Sequence, residues 1–288
     1  MFNRLLLILG ALLALAGCAR PVEVRPALWL VEGAGGQRAW LFGTIHALPA
    51  PVAWRSAKVD AALQQADRLV LEVADIANDA ATAKAFAALA RSPGLPPLDQ
   101  RVAADLRDDL AADLKAGGVS PGELDGYETW AAALMLQQAL SGSDPSDAAN
   151  GIDRALSREW SGPVQEFEGA SAQLAIFDRL PEAQQRALLI AVVRDGDDHG
   201  QRLRELEKAW ARGDLDLIAR VTDQDLGSEP ALRDALLVRR NHDWLRQLEA
   251  LLRSGARPFV AVGTAHLAGT DGLPALLAQR GWKITRLQ

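Results

Sequence analysis

Disulfides are excluded by count, because Cys18 is the only cysteine among 288 residues. A single thiol also rules out a CxxC redox pair or a cysteine-based zinc site, so the fold must be held by its core. A basic excess is missing as well. The 31 Lys and Arg are outnumbered by 37 Asp and Glu, giving a net charge of -6 and a pI near 5.3. Acidic and basic residues are interspersed, with no charged tail and no basic face for nucleic acid, so polyanions are excluded as partners. Repeats of the solenoid kind are absent. So is HExxH, which removes the zincin helix. Histidine is scarce, with four in the chain.

Long hydrophobic runs are lacking except at the start. In "MFNRLLLILGALLALAGCAR", Arg4 precedes an apolar run from Leu5 to Ala16. That run falls short of the roughly 20 residues that span a bilayer and reads as a secretory signal. Its end, Leu15-Ala16-Gly17-Cys18, resembles the lipobox of bacterial lipoproteins, in which the cysteine is acylated and becomes the first mature residue. The alternative is an ordinary cleavage site at Ala14-Leu15-Ala16. Ala19 rather than Asp after the cysteine goes with outer-membrane sorting. The expectation is residues 1–17 as signal peptide, 18–27 as lipidated tether, and a periplasmic protein held to the outer membrane of a Gram-negative bacterium. The lipid anchor would be its only membrane contact.

What remains is 49% hydrophobic and 24% charged, ordinary for a globular chain with room for a large core. "ALWLVEG" and "RAWLFGT" flank Gly33-Ala34-Gly35-Gly36 and predict a hairpin. "DRLVLEVAD" is a continuous apolar run, as in a strand buried on both faces. Ala-rich amphipathic segments fill residues 78–140, "GPVQEFEG" reads as another strand, and residues 171–253 are helical in pattern. There Leu203, Leu206 and Trp210 share one helix face. "RPFVAVGT" and "WKITRLQ" are closing strands around a helix at residues 273–280. These elements predict an α/β domain over residues 28–288. Its central mixed β-sheet is built from the N- and C-terminal segments, with a helical insertion or cap over about 78–253.

Two stretches repeat one frame: "WLFGTIHALP" and "FVAVGTAHLAG". Each is an apolar strand, then G-T-x-H, with Gly43 and His46 in one and Gly263 and His266 in the other. Gly permits close backbone approach, and each histidine projects from a strand's carboxyl end, where open α/β sheets bind ligands. On neighbouring strands the two imidazoles would reach one site; otherwise each caps its own strand. Glu72 lies within an apolar run, so it is either paired, functional or on an edge strand facing water. A carboxylate beside imidazoles could complete a metal site or act as a general base. In "LLVRRNHDWLRQLEALL" the helical stripe of Leu236, Leu237, Trp244, Leu248 and Leu251 includes Arg240, with Asn241 at its edge. A guanidinium there needs a carboxylate partner or an anionic ligand, and could stabilise an oxyanion. Asp153 in "NGIDRAL" is a secondary candidate or a plain helix-start residue. Glu166 and Glu168 share a strand face, with Glu168 at its carboxyl end as a second acidic candidate. "RDGDDHG" lacks the spacing of a calcium loop, His242 points to the polar side of its helix, and the scattered tryptophans read as core.

The ordered set "LFGTIHALP", "LVLEVAD", "NGID", "QEFEG" with Gln173 beyond it, "RRN" and "FVAVGTAHLAGTDGLPALLAQRGWKITRL" resembles the TraB/GumN family, related to the Tiki metalloproteases. The resemblance runs from about Leu28 to Leu287. It implies an α/β fold shared with erythromycin-esterase-like and haem-binding ChaN-like proteins and, for the Tiki branch, divalent-metal peptide hydrolysis. The family's paired G-x-x-H motifs fall on Gly43/His46 and Gly263/His266, its acidic strand residue on Glu72, and its Arg-Asn pair on Arg240 and Asn241. The expected activity is therefore a metal-dependent, peptidase-like hydrolase acting on a peptide or small molecule. His46 and His266 would hold a divalent ion, with Glu72 as ligand or base and water in the open position. A metal-independent esterase with a histidine base, and a non-catalytic lipoprotein binding haem, metal or another ligand, are the alternatives.

Overall fold

The computed structural model describes residues 24–74, 79–140, 148–195, 199–226 and 229–288. The signal segment, Cys18 and much of "RDGDDHG" lie outside the described residues.

Strand β1 (Leu28–Glu32) and β2 (Arg38–Thr44) form the expected hairpin, antiparallel, with Leu28 opposite Phe42 and Glu32 opposite Arg38. With β3 (Arg68–Leu71), β4 (Val164–Glu166), β5 (Pro258–Gly263) and β6 (Lys283–Arg286) they make one six-stranded sheet, in the order β4-β3-β5-β2-β1-β6. The fold is α/β with a mixed sheet. Neighbours β4, β3, β5 and β2 are parallel, so their carboxyl ends lie along one edge; β1 is antiparallel to β2 and β6.

Helices in chain order are α1 (Ala57–Gln65), α2 (Asp79–Leu89), α3 (Arg107–Ala116), α4 (Thr129–Leu140), α5 (Ile152–Glu159) and α6 (Ala170–Asp178). They continue with α7 (Glu182–Asp195), α8 (His199–Arg212), α9 (Leu215–Leu226), α10 (Pro230–Arg233), α11 (Arg239–Arg253) and α12 (Leu273–Gln279). A π turn, Asp234–Val238, joins α10 to α11, with the Arg239 N–H bonded to the Asp234 carbonyl five residues back.

The alternation of strand side chains divides the sheet's packing in two. Phe259 and Ala261 of β5 join Phe42, Leu69, Trp54 and Trp210 on one face, covered by α1, α5, α8 and α9. Val260 and Val262 join Leu41, Val70, Trp244 and Leu277 on the other, covered by α11 and α12. Covering both faces explains why "FVAV" is apolar without a break. A separate core fills the helical region between α3, α4 and α7, around Leu110, Leu136 and Leu189.

Three expectations need correction. The apolar run around Glu72 stops being strand at Leu71, so Glu72 is the first residue beyond β3. Likewise β4 ends at Glu166 and does not carry Glu168. The strand face supposed to be shared by these two acids therefore does not exist. Glu166 is exposed and accepts the Ala74 N–H at 2.9 Å, while Glu168 turns inward. Finally, residues 24–27, expected as the end of a tether, are packed against the domain. Val24 and Ala27 are buried, and the Arg25 N–H donates to the Ala211 carbonyl at 2.8 Å. Apolar side chains next to β1 are packed for the same reason β1 is.

Trp210 of α8 ties the helical region to the sheet, its Nε1–H donating to the Gly43 carbonyl at 3.0 Å from a buried ring. Trp210→Ala is expected to lower stability by about 3–5 kcal/mol and Trp210→Phe by about 1–3 kcal/mol, read by urea unfolding. A loss under about 1 kcal/mol for the alanine variant would mean α8 does not anchor the end of β2.

Candidate functional site

Four strand ends supply the site. On parallel neighbours, Gly43 of β2 pairs with Val262 of β5 and Thr44 with Gly263. The two G-T-x-H frames thus lie side by side, offset by one residue. A Cβ on Gly43 would stand 2.7 Å from Thr264 Oγ1. A Cβ on Gly263 would stand 3.2 Å from Glu72 Oε1, 3.7 Å from His46 Nε2 and 3.9 Å from His266 Cδ2. Close approach thus demands glycine or a shift of Thr264 at position 43, and leaves little room for a side chain at 263. The second marks the point around which Glu72 and both histidines gather.

Arg240 holds this arrangement. Its Nε–H donates to Glu168 Oε1 at 2.9 Å, and Nη2 donates to Glu168 Oε2 at 2.9 Å and Glu72 Oε2 at 2.8 Å. Nη1 donates to the Leu236 carbonyl at 3.1 Å and meets His266 Nε2 at 3.1 Å. Arginine has five N–H donors, and five acceptors surround it. The ring of Trp244 lies under the guanidinium, 4.7 Å away, stacks on Phe167 and packs against His266. Its Nε1–H donates to Glu168 Oε1. Gln173 Nε2 and the Gly263 N–H complete the partners of Glu72, on Oε2 and Oε1 respectively.

The tautomer of His266 follows from its neighbours. Arg240 can only donate, so His266 Nε2 accepts. The Nδ1–H therefore donates to Asn241 Oδ1, 2.6 Å away, while Asn241 Nδ2 donates to the Asp271 carbonyl. Asn241, placed by helical periodicity at the edge of the apolar stripe, is fully buried by this bond. Burial, with Arg240 alongside, lowers the His266 pKa to about 3 despite the attraction of Glu72. The ring is neutral at pH 7.

His46 is built differently. Its side chain is 62% exposed, and Nδ1 lies 2.8 Å from Oδ2 of the buried Asp153. Asp153 stands in the first turn of α5, and its Oδ1 accepts the Thr44 hydroxyl at 2.5 Å. The loop is fixed to α5 by the Ile152 N–H on the Ile45 carbonyl and by Asn150 Nδ2 on the Leu48 carbonyl. The Asp153 charge is the main cause that raises the His46 pKa to about 9. Burial alone would raise the Glu72 pKa. The His266, His46 and Arg240 charges and the Gly263 N–H outweigh it, holding Glu72 down at about 2.

The structure therefore brings together His46, His266, Glu72, Arg240, Asn241, Asp153, Glu168, Gly43 and Gly263. His242 is exposed on α11, away from them. The sequence reading had Thr44 and Thr264 in its repeated frame but gave them no role, and it missed the site role of Trp244. Trp244 lies one helical turn after Arg240, which was the available signal.

A divalent ion held by both histidines does not fit these residues as arranged. The Nε2 lone pair of His266 is spent on a guanidinium, and an ion beside it would meet the Arg240 charge. Among the described residues, no group of three or more His, Cys, Asp or Glu is placed to hold a metal ion. His46 Nε2 and Glu72 Oε1 are the polar atoms nearest to where a Cβ on Gly263 would stand.

Arg240→Ala would leave Glu72 and Glu168 largely buried without their cation and should cost about 3–5 kcal/mol at pH 7 by chemical denaturation. Arg240→Lys should recover only part of it, because three donors cannot meet five acceptors. Stability should also decline on both sides of neutrality. The lowered pKa of His266 makes the unfolded chain bind a proton from about pH 6.5 that the native site refuses until about 3; Glu72 adds a loss between about 4.5 and 2. The raised pKa of His46 gives stability present below about pH 6.5 and lost as pH rises through about 9. In His46→Gln the alkaline part of that decline in Tm should shrink; an unchanged profile would contradict the ion pair with Asp153.

No curated protein and no solved structure matches this sequence. The family model described as TraB/PrgY/gumN matches residues 27–286, which takes in all six strands and every residue of the site. The chain belongs to the TraB/PrgY/gumN family.

Proposed function

We propose that this protein is a metal-independent hydrolase of carbonyl compounds, peptides or esters, with His46 and Asp153 as its acid–base pair. The observation that carries this reading is the approach of His46 Nε2 and Glu72 Oε1 to Gly263, 3.7 and 3.2 Å from where a Cβ on that glycine would stand. A water hydrogen-bonded to both would stand beside a base and an acceptor. In its neutral form His46 takes a proton from that water as the water oxygen bonds to the carbonyl carbon. Asp153 keeps the Nδ1–H in place and stabilises the imidazolium, which then protonates the leaving amine or alkoxide as its bond to carbon breaks. Arg240, with all five N–H groups engaged, acts as a positioning residue for Glu72 and His266 and not as an oxyanion donor. Its commitment to His266 also supports a site that works without a metal.

The base form of His46 grows as pH approaches about 9, so kcat/KM should rise with pH up to that value. Assayed on a panel of short peptides and activated esters, His46→Ala should lose about 10²–10⁴-fold and Asp153→Asn a comparable factor, with chelators without effect. One observation favours a divalent ion instead: the same two atoms near Gly263 could bind one in place of the water. Elemental analysis of wild type and His46→Ala decides between the two. A stoichiometric metal, lost in the variant together with activity, would overturn the metal-free reading.

Lipidation of Cys18 and placement in the outer membrane are part of the same proposal. Among the described residues no helix is long and apolar enough to cross a membrane. Cys18→Ser should move the protein from the membrane fraction to the soluble one; unchanged fractionation would remove the lipid anchor.

A further inference from the structure

A cavity of about 530 Å³ adjoins the site on the β4 side, and Glu168 and Arg240 form part of its wall. The size suits a ligand pocket. Ile176 of α6 and Leu180 after it add apolar lining. Both carboxylates that line the cavity are engaged: Glu168 by Arg240, and Asp243 by Arg246. Of the arginines, Arg240 is saturated and Arg239 is paired with Asp234 on the exposed surface, an ion pair of little strength. The Arg179 side chain is exposed and has no hydrogen-bond or ion partner among the described residues. The cavity thus offers apolar surface with one uncommitted guanidinium, a donor fork suited to a carboxylate.

From Arg179, Ile176 and Leu180 we infer that this cavity is a substrate subsite for an apolar residue followed by a carboxylate. The inference rests on the hydrolase reading only for the word substrate. Glu168, Glu72, Gly263 and His46 stand at or just beyond the ends of β4, β3, β5 and β2 in that order. Three strand spacings, roughly 14 Å, therefore separate the subsite's edge from His46. An extended peptide covers that span in about four residues. A peptide whose carboxylate sits in the subsite would present its reacting bond to His46 about four residues upstream.

The test is binding, measured by calorimetry on the His46→Ala full-length protein, so that turnover plays no part. Three probes are used: acetyl-Ala-Ala-Ala-Leu with a free carboxylate, the same peptide as its amide, and acetyl-Ala-Ala-Leu-Glu amide. The free acid should bind about tenfold more tightly than its amide, the difference expected of a charge-assisted bond. Arg179→Ala should erase that ratio and Arg179→Lys restore part of it. The Glu-bearing amide tells a side-chain carboxylate from a terminal one. Equal binding of acid and amide, a preference that survives Arg179→Ala, or no saturable binding near about 1 mM each overturns the subsite. A carboxylate preference in a protein that hydrolyses nothing would instead leave the subsite standing and remove the hydrolase.

Discussion

Matching five donors on one side chain to five acceptors from four parts of the chain is the constraint on which the rest of the site depends. Arg240 reaches the ends of β3 and β4 through Glu72 and Glu168, the turn after β5 through His266, and the π turn before its own helix through Leu236. Two carboxylates and an imidazole drawn out of water in one place would repel one another or take up protons without that cation. With it, Glu72 stays ionised and His266 stays neutral, both against the pull of burial or charge acting alone.

The two histidines of the repeated frame end in opposite electrostatic situations. His266 is enclosed between Trp244, Arg240 and Asn241, and is chemically silent at neutral pH. His46 faces water with a buried carboxylate behind it. Identical local sequence gives different chemistry because β2 and β5 are followed by different partners: α5 brings an acid to one, and α11 brings a cation and an amide to the other. The asymmetry suits His46 to the proton transfer proposed for it and His266 to architecture.

Much of this was legible from residues alone. The repeated G-T-x-H, the carboxylate in an apolar run and the arginine in an apolar stripe each broke a local rule, and the structure shows what each break serves. Strand boundaries were less legible, since Glu72 continues an apolar pattern although β3 has ended. The role of Asp153 was hidden because it depends on α5 meeting the loop after β2, more than one hundred residues away in sequence. Trp244 read as core, and it is core; only the tertiary meeting with Arg240 and His266 makes it the floor of the site as well. The metal expectation came from two histidines beside a carboxylate as well as from resemblance, and the commitment of His266 to a guanidinium could not be seen without coordinates.

The π turn between α10 and α11 has a consequence for how this site tolerates change. A π turn is a helix carrying one residue more than an α turn would hold, and it sits directly before Arg240. Removing a single residue from Asp234–Val238 would leave an ordinary helix of nearly the same length. Five residues of a π turn and four of an α turn each advance the chain by slightly more than one revolution, so α11 would keep its facing relative to α10. Arg240, Asn241 and Trp244 would still meet the strand ends together. A one-residue deletion inside α11 itself has no such refuge and would turn every later residue by about 100°; the surplus unit makes Asp234–Val238 the place where this helix can lose a residue and keep its charged network aligned.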